Sequence, residues 1–280
     1  MERKLYATPG EFLRDNADYL EAQEASTQLN QGNAQANRDK PCGPALFFGQ
    51  YEQDGEPVLL FGSAAPWNLC LNAPLAAEHR AVRAAEELAA VIKSEDIPIA
   101  GVTARESLCQ AFMKAHGGTF RQRSAMDIMV LETLLEPPKA AGTVRKGAVA
   151  DLELVVAWKS AFSREALREE PPEDLRERTQ AGLQSGDLWL MEDESGQPVS
   201  MAQTTRRMAH GIAVSSVYTP PEHRGHGYCQ NTVAALCREK LGEGLRFCTL
   251  FVDRKNPISN RVYRKIGFKV WEDCSEYRIR

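Results

Sequence analysis

The stretch that decides the fold is residues 216–229, which read SVYTPPEHRGHGYC. The apolar run before it predicts a strand that ends at Pro220 and Pro221, and the residues after it predict a helix. A glycine loop that opens a helix is an anion-binding site, because free backbone N–H groups point outward and the helix dipole adds about half a positive charge. Gly225 and Gly227 leave room for phosphate oxygens to approach the backbone. We therefore expect a diphosphate to bind here.

A second informative stretch is residues 256–268, which read NPISNRVYRKIGF and follow a strand-like apolar run. Asn256 is a natural helix N-cap, and Pro257 suits the first helical position because it needs no N–H there. Gly267 predicts the C-terminal end of the helix. The sequence thus predicts both ends of a short helix.

Helical spacing divides this short helix into two stripes. Ile258, Val262 and Ile266 are spaced by four residues and are expected to face the sheet. Ser259 and Tyr263 share a neighbouring stripe, which we expect to face the bound ligand.

The two stretches together resemble the motifs of the GNAT superfamily of acyl-CoA-dependent N-acyltransferases. The family loop follows a strand with the pattern Gln/Arg-x-x-Gly-x-Gly/Ala. Arg224 and Gly227 match it, and Cys229 departs from it at the last position, where a small residue still fits. The second stretch resembles the family helix N-x-x-[SAG]-x-x-[ILV]-Y-x-[KR]-x-G-F and begins 29 residues after Gly227.

The resemblance implies an acetyl-CoA site and an N-acetyltransferase that moves the acetyl group to a primary amine of a small molecule by direct attack, with no metal. It implies that Tyr263 is catalytic and protonates the departing CoA thiolate. It also implies a bulged strand whose backbone binds pantetheine. The residues assigned to cofactor binding are Val217, Tyr218, Thr219, Arg224, Gly225, His226, Gly227, Tyr228, Cys229, Asn256 and Ser259.

Two alternatives to this function stay open at the sequence level. The protein is either this enzyme or a non-catalytic acyl-CoA-binding sensor or scaffold, and as an enzyme it could use a longer acyl-CoA. No general base is evident: Glu222 and Asp253 are the candidates, and a water relay is the default. Glu192 and Asp193 border a predicted hairpin turn and are expected to be solvated.

The chain divides at a seam rich in proline, glycine and alanine, residues 136–142. The half before the seam repeats the element order of the other half, but its equivalent loop, residues 72–79, has no glycines. We expect an α/β (α+β) fold with two GNAT-like domains, each a mixed, mostly antiparallel sheet flanked by helices, with strands parting at the CoA site. Residues 1–138 would be a degenerate domain without the cofactor motif, and residues 139–280 the catalytic one.

The first domain is expected to form a wall of the acceptor pocket. The candidates for that wall are aromatic and amide side chains, with plain core packing as the alternative. They are Trp67, Asn68, Tyr51 and Phe47.

The composition limits the kinds of partner that the protein is expected to bind. The 280 residues carry a net charge of −4, so no basic surface is expected to attract nucleic acid or an anionic membrane. The apolar runs are shorter than the ~20 residues that span a bilayer, and no leader is evident, which predicts a cytoplasmic protein. The seven cysteines include no C-x-x-C pair, so neither a disulfide framework nor a zinc site is expected. A homodimer is left open.

Overall fold

The computed structural model describes residues 1–280 and divides the chain into two compact units. The first unit comprises residues 1–128, 252–255 and 270–280, and the second comprises residues 129–251 and 256–269. The predicted division between residues 138 and 139 differs from this one in two ways. The second unit begins earlier, at Met129, and the last strand of the chain packs in the first unit.

The first unit consists of a sheet with helices packed against it. Its strands are β1 (Glu2–Leu5), β2 (Leu46–Gln53), β3 (Glu56–Ala64), β4 (Leu69–Asn72), β5 (Gly101–Ala104), the C-terminal β12 (Lys269–Ile279) and β6 (Phe120–Leu131), in the spatial order β1-β2-β3-β4-β5-β12-β6. Its helices are α1 (Pro9–Asp15), α2 (Ala17–Ala22), α3 (Glu24–Ala36), α4 (Glu78–Ser94) and α5 (Glu106–His116). β4 and β5 run parallel, whereas the pairs β1–β2, β2–β3, β3–β4 and β5–β12 are antiparallel.

The second unit repeats the order of strands and helices along the chain. Its elements are β7 (Thr143–Lys146), α6 (Leu152–Phe162), α7 (Leu175–Gln184), β8 (Leu188–Glu192), β9 (Pro198–Arg207), β10 (Gly211–Tyr218), α8 (Tyr228–Gly242), β11 (Phe247–Asp253) and α9 (Pro257–Lys265). Its strands lie in the order β11-β10-β9-β8-β7, and only β10 and β11 are parallel. The predicted order of strands and helices is therefore correct for this half, and the fold is the expected mixed, mostly antiparallel α/β architecture.

Two hairpin turns lie where turn residues predict them. Asp54 and Gly55 join β2 to β3 with positive φ values of 56° and 80°, as a tight hairpin requires. Gly196, at φ 81°, lies in the turn between β8 and β9. Asp193 accepts backbone N–H bonds from Ser195 and Gln197 and so holds this second turn in place.

Three local features differ from what the sequence pattern predicts. The pattern of residues 12–35 predicts one long helix, but the chain forms three, because it bends at Asn16 and again at Gln23. Residues 269–280 predict a pair of strands but form one strand, β12. The pattern does not predict the first strand, β1, because its four residues are exposed and show no apolar alternation.

Candidate acyl-donor site

The site is centred on the point where two parallel strands separate. β10 pairs with β11 through Gly211, Ile212 and Ala213, and both strands continue beyond that pairing. The pairing of β10 with β9 slips between Ser215 and Tyr218, and Ser216 has a φ of 48°, in the left-handed region that non-glycine residues rarely adopt. The bulge that the resemblance implied is therefore present, and it lies at Ser216, which sequence reasoning did not single out.

The glycine loop joins the end of β10 to α8. Gly225 and Gly227 both have left-handed backbones, with φ values of 87° and 80°, and Gly227 is the N-cap of α8. A Cβ added at Gly225 would meet nothing within 4 Å, so this part of the loop is open. No side chain caps α8, so the N–H groups of its first turn are free to bind an anion. The loop therefore has the geometry of a diphosphate cradle.

Arg224 faces back toward the protein instead of into the cradle. Its Nε donates to the carbonyl oxygen of Thr219 at 2.9 Å, and its Nη2 lies 2.6 Å from Glu165 Oε2. The hydroxyl of Tyr218 donates to the other oxygen of Glu165 at 2.7 Å. Arg224 and then Tyr218 hold the pKa of Glu165 below its usual range. In this structure Arg224 and Glu165 fix the shape of the loop, and Glu165 is a residue that the sequence motif did not reveal.

The rest of the loop is held by α8 and by the preceding linker. The Asn231 side chain donates to the carbonyl oxygens of Gly227 and Pro138 at 3.0 and 3.1 Å. The rings of His226 and Tyr228 stack with centroids 5.6 Å apart, and His226 is exposed beside the loop. The predicted seam is therefore docked on α8, where it supports the site.

Tyr263 lies on α9 and is buried, with 8% of its surface exposed. Its ring packs edge-on against Phe268 at 5.8 Å. Burial raises the pKa of Tyr263 well above its usual value, and the neighbouring thiols of Cys229 and Cys237 add to the effect. The phenol therefore keeps its proton at neutral pH, as a proton donor must. Burial likewise raises the pKa of Cys229 to about 12, so this thiol is inert at neutral pH.

The start of α9 matches its prediction, but its apolar stripe does not. Asn256 Oδ1 accepts from the Ser259 N–H at 3.1 Å, which is the expected N-cap bond, and Gly267 has the expected positive φ of 110°. The prediction that Ile258 faces the sheet is wrong, since 75% of its surface is exposed. Burial rises along the stripe: Val262 is half-buried, and only the last member, Ile266, is fully buried.

The candidate bases have other partners or face solvent. Glu222 is exposed in a short turn, and Asp253 Oδ1 accepts from the Lys255 N–H at 2.8 Å. Glu192 is paired with Arg145 at 2.6 Å.

The side chains suggested for an acceptor wall are mostly core residues of the first unit. Tyr51 is buried in its main apolar cluster, and Phe47 packs against that cluster. Asn68 donates to the carbonyl oxygen of Tyr277 and to Thr103 Oγ1 within the same unit. Trp67 is exposed. For all but Trp67 the alternative of core packing describes the structure.

No group of three or more His, Cys, Asp or Glu side chains is placed to hold a metal ion. None of the helices has the length and apolar character to cross a membrane.

The comparisons with known proteins agree with this geometry. The family model described as "Acetyltransferase (GNAT) family" matches residues 153–268. No match to this sequence was found among curated proteins.

The fold of the chain is similar to that of several solved structures. A GCN5-related N-acetyltransferase from Sphaerobacter thermophilus is 18% identical over 99% of this chain and 95% of its own, with a TM-score of 0.61. A GNAT-family acetyltransferase from Colwellia psychrerythraea is 12% identical over the whole of both chains, with a TM-score of 0.59. A tandem GNAT protein from the clavulanic acid biosynthesis pathway is 13% identical over 99% of this chain and 97% of its own, with a TM-score of 0.53. At these identities the likeness concerns the fold. Residues 153–268 are thus a GNAT acetyltransferase domain, in a chain that has the fold of GNAT acetyltransferases along its whole length.

Proposed function

We propose that the protein is an N-acetyltransferase that moves the acetyl group of acetyl-CoA to a primary amine of a small molecule. The observation that supports this most is the conjunction, in one unit, of parted parallel strands, an open glycine loop at a helix start and a buried phenol on α9. A diphosphate fits the loop because Gly225 and Gly227 add no side chain and α8 has no internal cap. The strand beyond Ala213 has backbone groups that β11 does not pair, and these suit a pantetheine amide chain.

Different residues of the second unit carry out different parts of the proposed reaction. Acetyl-CoA supplies an acyl thioester, the reactive bond, when it is bound. The strand from Val214 to Tyr218 orients the donor, and its free N–H groups stabilise negative charge on the carbonyl oxygen. A neutral amine forms the new C–N bond while the C–S bond breaks. Tyr263 gives its hydroxyl proton to the departing sulfur, and the excess proton of the amine passes to water, from which the Tyr263 phenolate takes a proton back.

The proposal is tested by release of free CoA thiol when the protein is mixed with acetyl-CoA and a pool of small primary amines. We expect release that depends on the amines and falls in a Tyr263→Phe variant. Tight acetyl-CoA binding with no thiol release from any amine would favour the acyl-CoA sensor instead. Faster release from a longer acyl-CoA than from acetyl-CoA would change the donor and leave the reaction class intact.

We also propose that the protein is cytoplasmic and that its partner is a small amine. The seven cysteines are free thiols, which suits the reducing environment of the cytoplasm. The net charge of −4 gives no reason to expect nucleic acid or a membrane as a partner. The partner that remains is the small amine.

A further inference from the structure

Two donor side chains on α6 and the turn that follows it have no partner in the protein. Lys159 and Ser163 are four residues apart, so they lie one turn apart on the same face, with Cβ atoms about 5 to 6 Å from each other. Each has only 7% of its surface exposed. Neither side chain makes a hydrogen bond or an ion pair. Burial lowers the pKa of Lys159 to about 8, and no carboxylate opposes that effect.

Other buried groups in the same unit show that this is unusual. Lys240 is equally buried, with 8% of its surface exposed, but its Nζ lies 2.8 Å from Glu243 and also faces the ring of Trp189. The Ser160 hydroxyl donates to the carbonyl oxygen of Val156 at 2.8 Å, as helical serines commonly do. A lysine side chain this deeply buried with no carboxylate beside it loses hydration, so its charged end is a place to expect a ligand.

The pair lies close to the acyl-donor site. Trp158, next to Lys159 in α6, packs against Tyr218 at the end of β10, with ring centroids 6.5 Å apart. Glu165, two residues beyond Ser163, contacts Tyr218 and Arg224 of the diphosphate loop. Residues 163–167 form a π-helical turn, a widened geometry that is frequent at functional sites. With a rise of 1.5 Å per residue, Lys159 is roughly 9 Å along the helix from these contacts.

We propose that Lys159 and Ser163 bind a carboxylate of the acceptor, so that the acceptor is an amine that also carries a carboxylate, as an amino acid does. This inference rests on the proposed acetyl transfer. One ammonium and one hydroxyl match the single charge and the two oxygens of a carboxylate. A phosphate dianion is a poorer match, because it would bring a second negative charge close to Glu165.

Matched pairs of acceptors test the proposal through turnover. The pairs are phenylalanine with 2-phenylethylamine and lysine with 1,5-diaminopentane, which differ only in the carboxylate. For the preferred amino acid, we expect kcat/KM to exceed that of its partner at least tenfold. Lys159→Met should lower the amino-acid value about ten- to hundredfold and leave the decarboxylated amine within threefold. Ser163→Ala should act in the same direction and more weakly.

The controls are a lysine and a serine of the same unit whose side chains already have partners in the protein. Lys240→Met removes an equally buried lysine, and Ser160→Ala removes a hydroxyl that already has a partner. Both should leave the preference for the carboxylate unchanged within twofold. A preference for the decarboxylated amines, or one that survives Lys159→Met, would overturn the proposal.

A second measurement does not depend on turnover. The titration of the Lys159 amine can be followed by NMR of protein labelled with 13C at the lysine ε-carbon, with the signal assigned from the Lys159→Met spectrum. Phenylalanine or lysine should raise its midpoint by more than half a pH unit, and the matching amines should not. If no amine is acetylated but the midpoint rises, the proposed function fails and the carboxylate site stands. A midpoint that no amino acid moves would refute the site even if acetylation occurs.

Discussion

Each unit of this molecule contains one pair of adjacent parallel strands, and the two pairs end differently. In the second unit, β10 stops pairing with β11 at Ala213, bulges at Ser216 and passes into a loop with two left-handed glycines. In the first unit, β4 keeps a regular register with β3 up to Asn72 and has no bulge. The side-chain oxygen of Asn72 accepts a hydrogen bond from Asn30 Nδ2 at 2.7 Å. Both parallel pairs end before their strands do, since β4 pairs with β5 only through Leu69 and Cys70. Only β10 bulges and passes into a glycine loop.

The helices that follow these strands differ in whether the protein itself places a negative charge at their first turn. α8 begins at a glycine with no side-chain cap, whereas α4 begins with Glu78, whose carboxylate lies 2.6 Å from Arg105 and accepts from the Ser107 hydroxyl. A carboxylate in the first turn satisfies the positive end of a helix dipole. The first unit thus contains its own negative charge where the second leaves room for one from a ligand.

The buried cations show the contrast again. Arg105 of the first unit, with 7% of its side chain exposed, is held between Glu78 and Glu272 at 2.6 and 2.7 Å. Lys159 of the second unit is as deeply buried and has no carboxylate. A shared fold therefore does not carry a shared arrangement of buried charges. The first unit pairs its buried Arg105 with two carboxylates, whereas Lys159 of the second unit has none.

The largest effect is expected from filling the loop. Gly227→Glu should weaken acetyl-CoA binding at least about a hundredfold, because a side chain and a negative charge would enter the diphosphate cradle. The matched control is Gly196→Glu, which has the same left-handed φ in a hairpin turn of the same unit and open space around it. Calorimetric titration measures both. An affinity of the Gly227 variant within threefold of wild type would remove the loop from the site.

The next effect separates two tyrosines that are equally buried. Tyr263→Phe should slow single-turnover acetyl transfer by on the order of 10²-fold and leave donor affinity within threefold, because only the proton donor is lost. Tyr277 in the first unit is also 8% exposed, and its hydroxyl donates to Glu106 at 2.6 Å. Tyr277→Phe should leave the rate unchanged. Equal rates in wild type and Tyr263→Phe would make Tyr263 a packing residue.

The unpaired lysine should appear in the pH dependence of stability. The pKa of Lys159 falls from 10.5 to about 8 on folding, so between these pH values the unfolded chain holds a proton that the folded chain has released. The free energy of unfolding should therefore rise with pH across this interval, relative to Lys159→Met. We expect the variant to be more stable by about 1 to 3 kcal/mol at pH 7 and the gap to close near pH 10. Urea unfolding at pH 7 to 10 measures it, and a constant gap would show that Lys159 is not strained.

The smallest effect concerns the internal charge of the first unit. Glu78→Gln should lower the free energy of unfolding by about 1 kcal/mol, because Arg105 loses one of two partners and Glu78 is partly exposed. It should create no second binding site, since the loop before α4 still lacks glycines. Glu153→Gln, which breaks an exposed pair with Arg176, is the control and should change stability little. A second equivalent of bound acetyl-CoA in the Glu78 variant would contradict this interpretation.

The sequence predicts the core of the candidate site because its signals are local. The glycines at 225 and 227, the N-cap Asn256 and the stop at Gly267 each act through their own backbone, and the structure places all of them as expected. The order of elements follows from apolar periodicity in the same way. The roles of these residues in binding acetyl-CoA stay predictions.

What the sequence did not predict depends on contacts between distant residues. Glu165 meets Arg224 across 59 residues, and nothing in its own segment points to that partner. Ser216 looks like any strand residue until the register with β9 slips. The last strand, β12, pairs with β5 of the first unit, far from it along the chain. A pattern read along the chain cannot locate such partners.

We expect one unit to bind the acyl donor and the other not to bind it. Calorimetric titration of the full-length protein with acetyl-CoA tests it most directly, with the concentration of folded protein measured independently. We predict a stoichiometry of one per chain, abolished by Gly227→Glu and unaffected by Glu78→Gln. A stoichiometry of two, or one site that survives Gly227→Glu, would contradict the assignment of the donor site to the loop before α8.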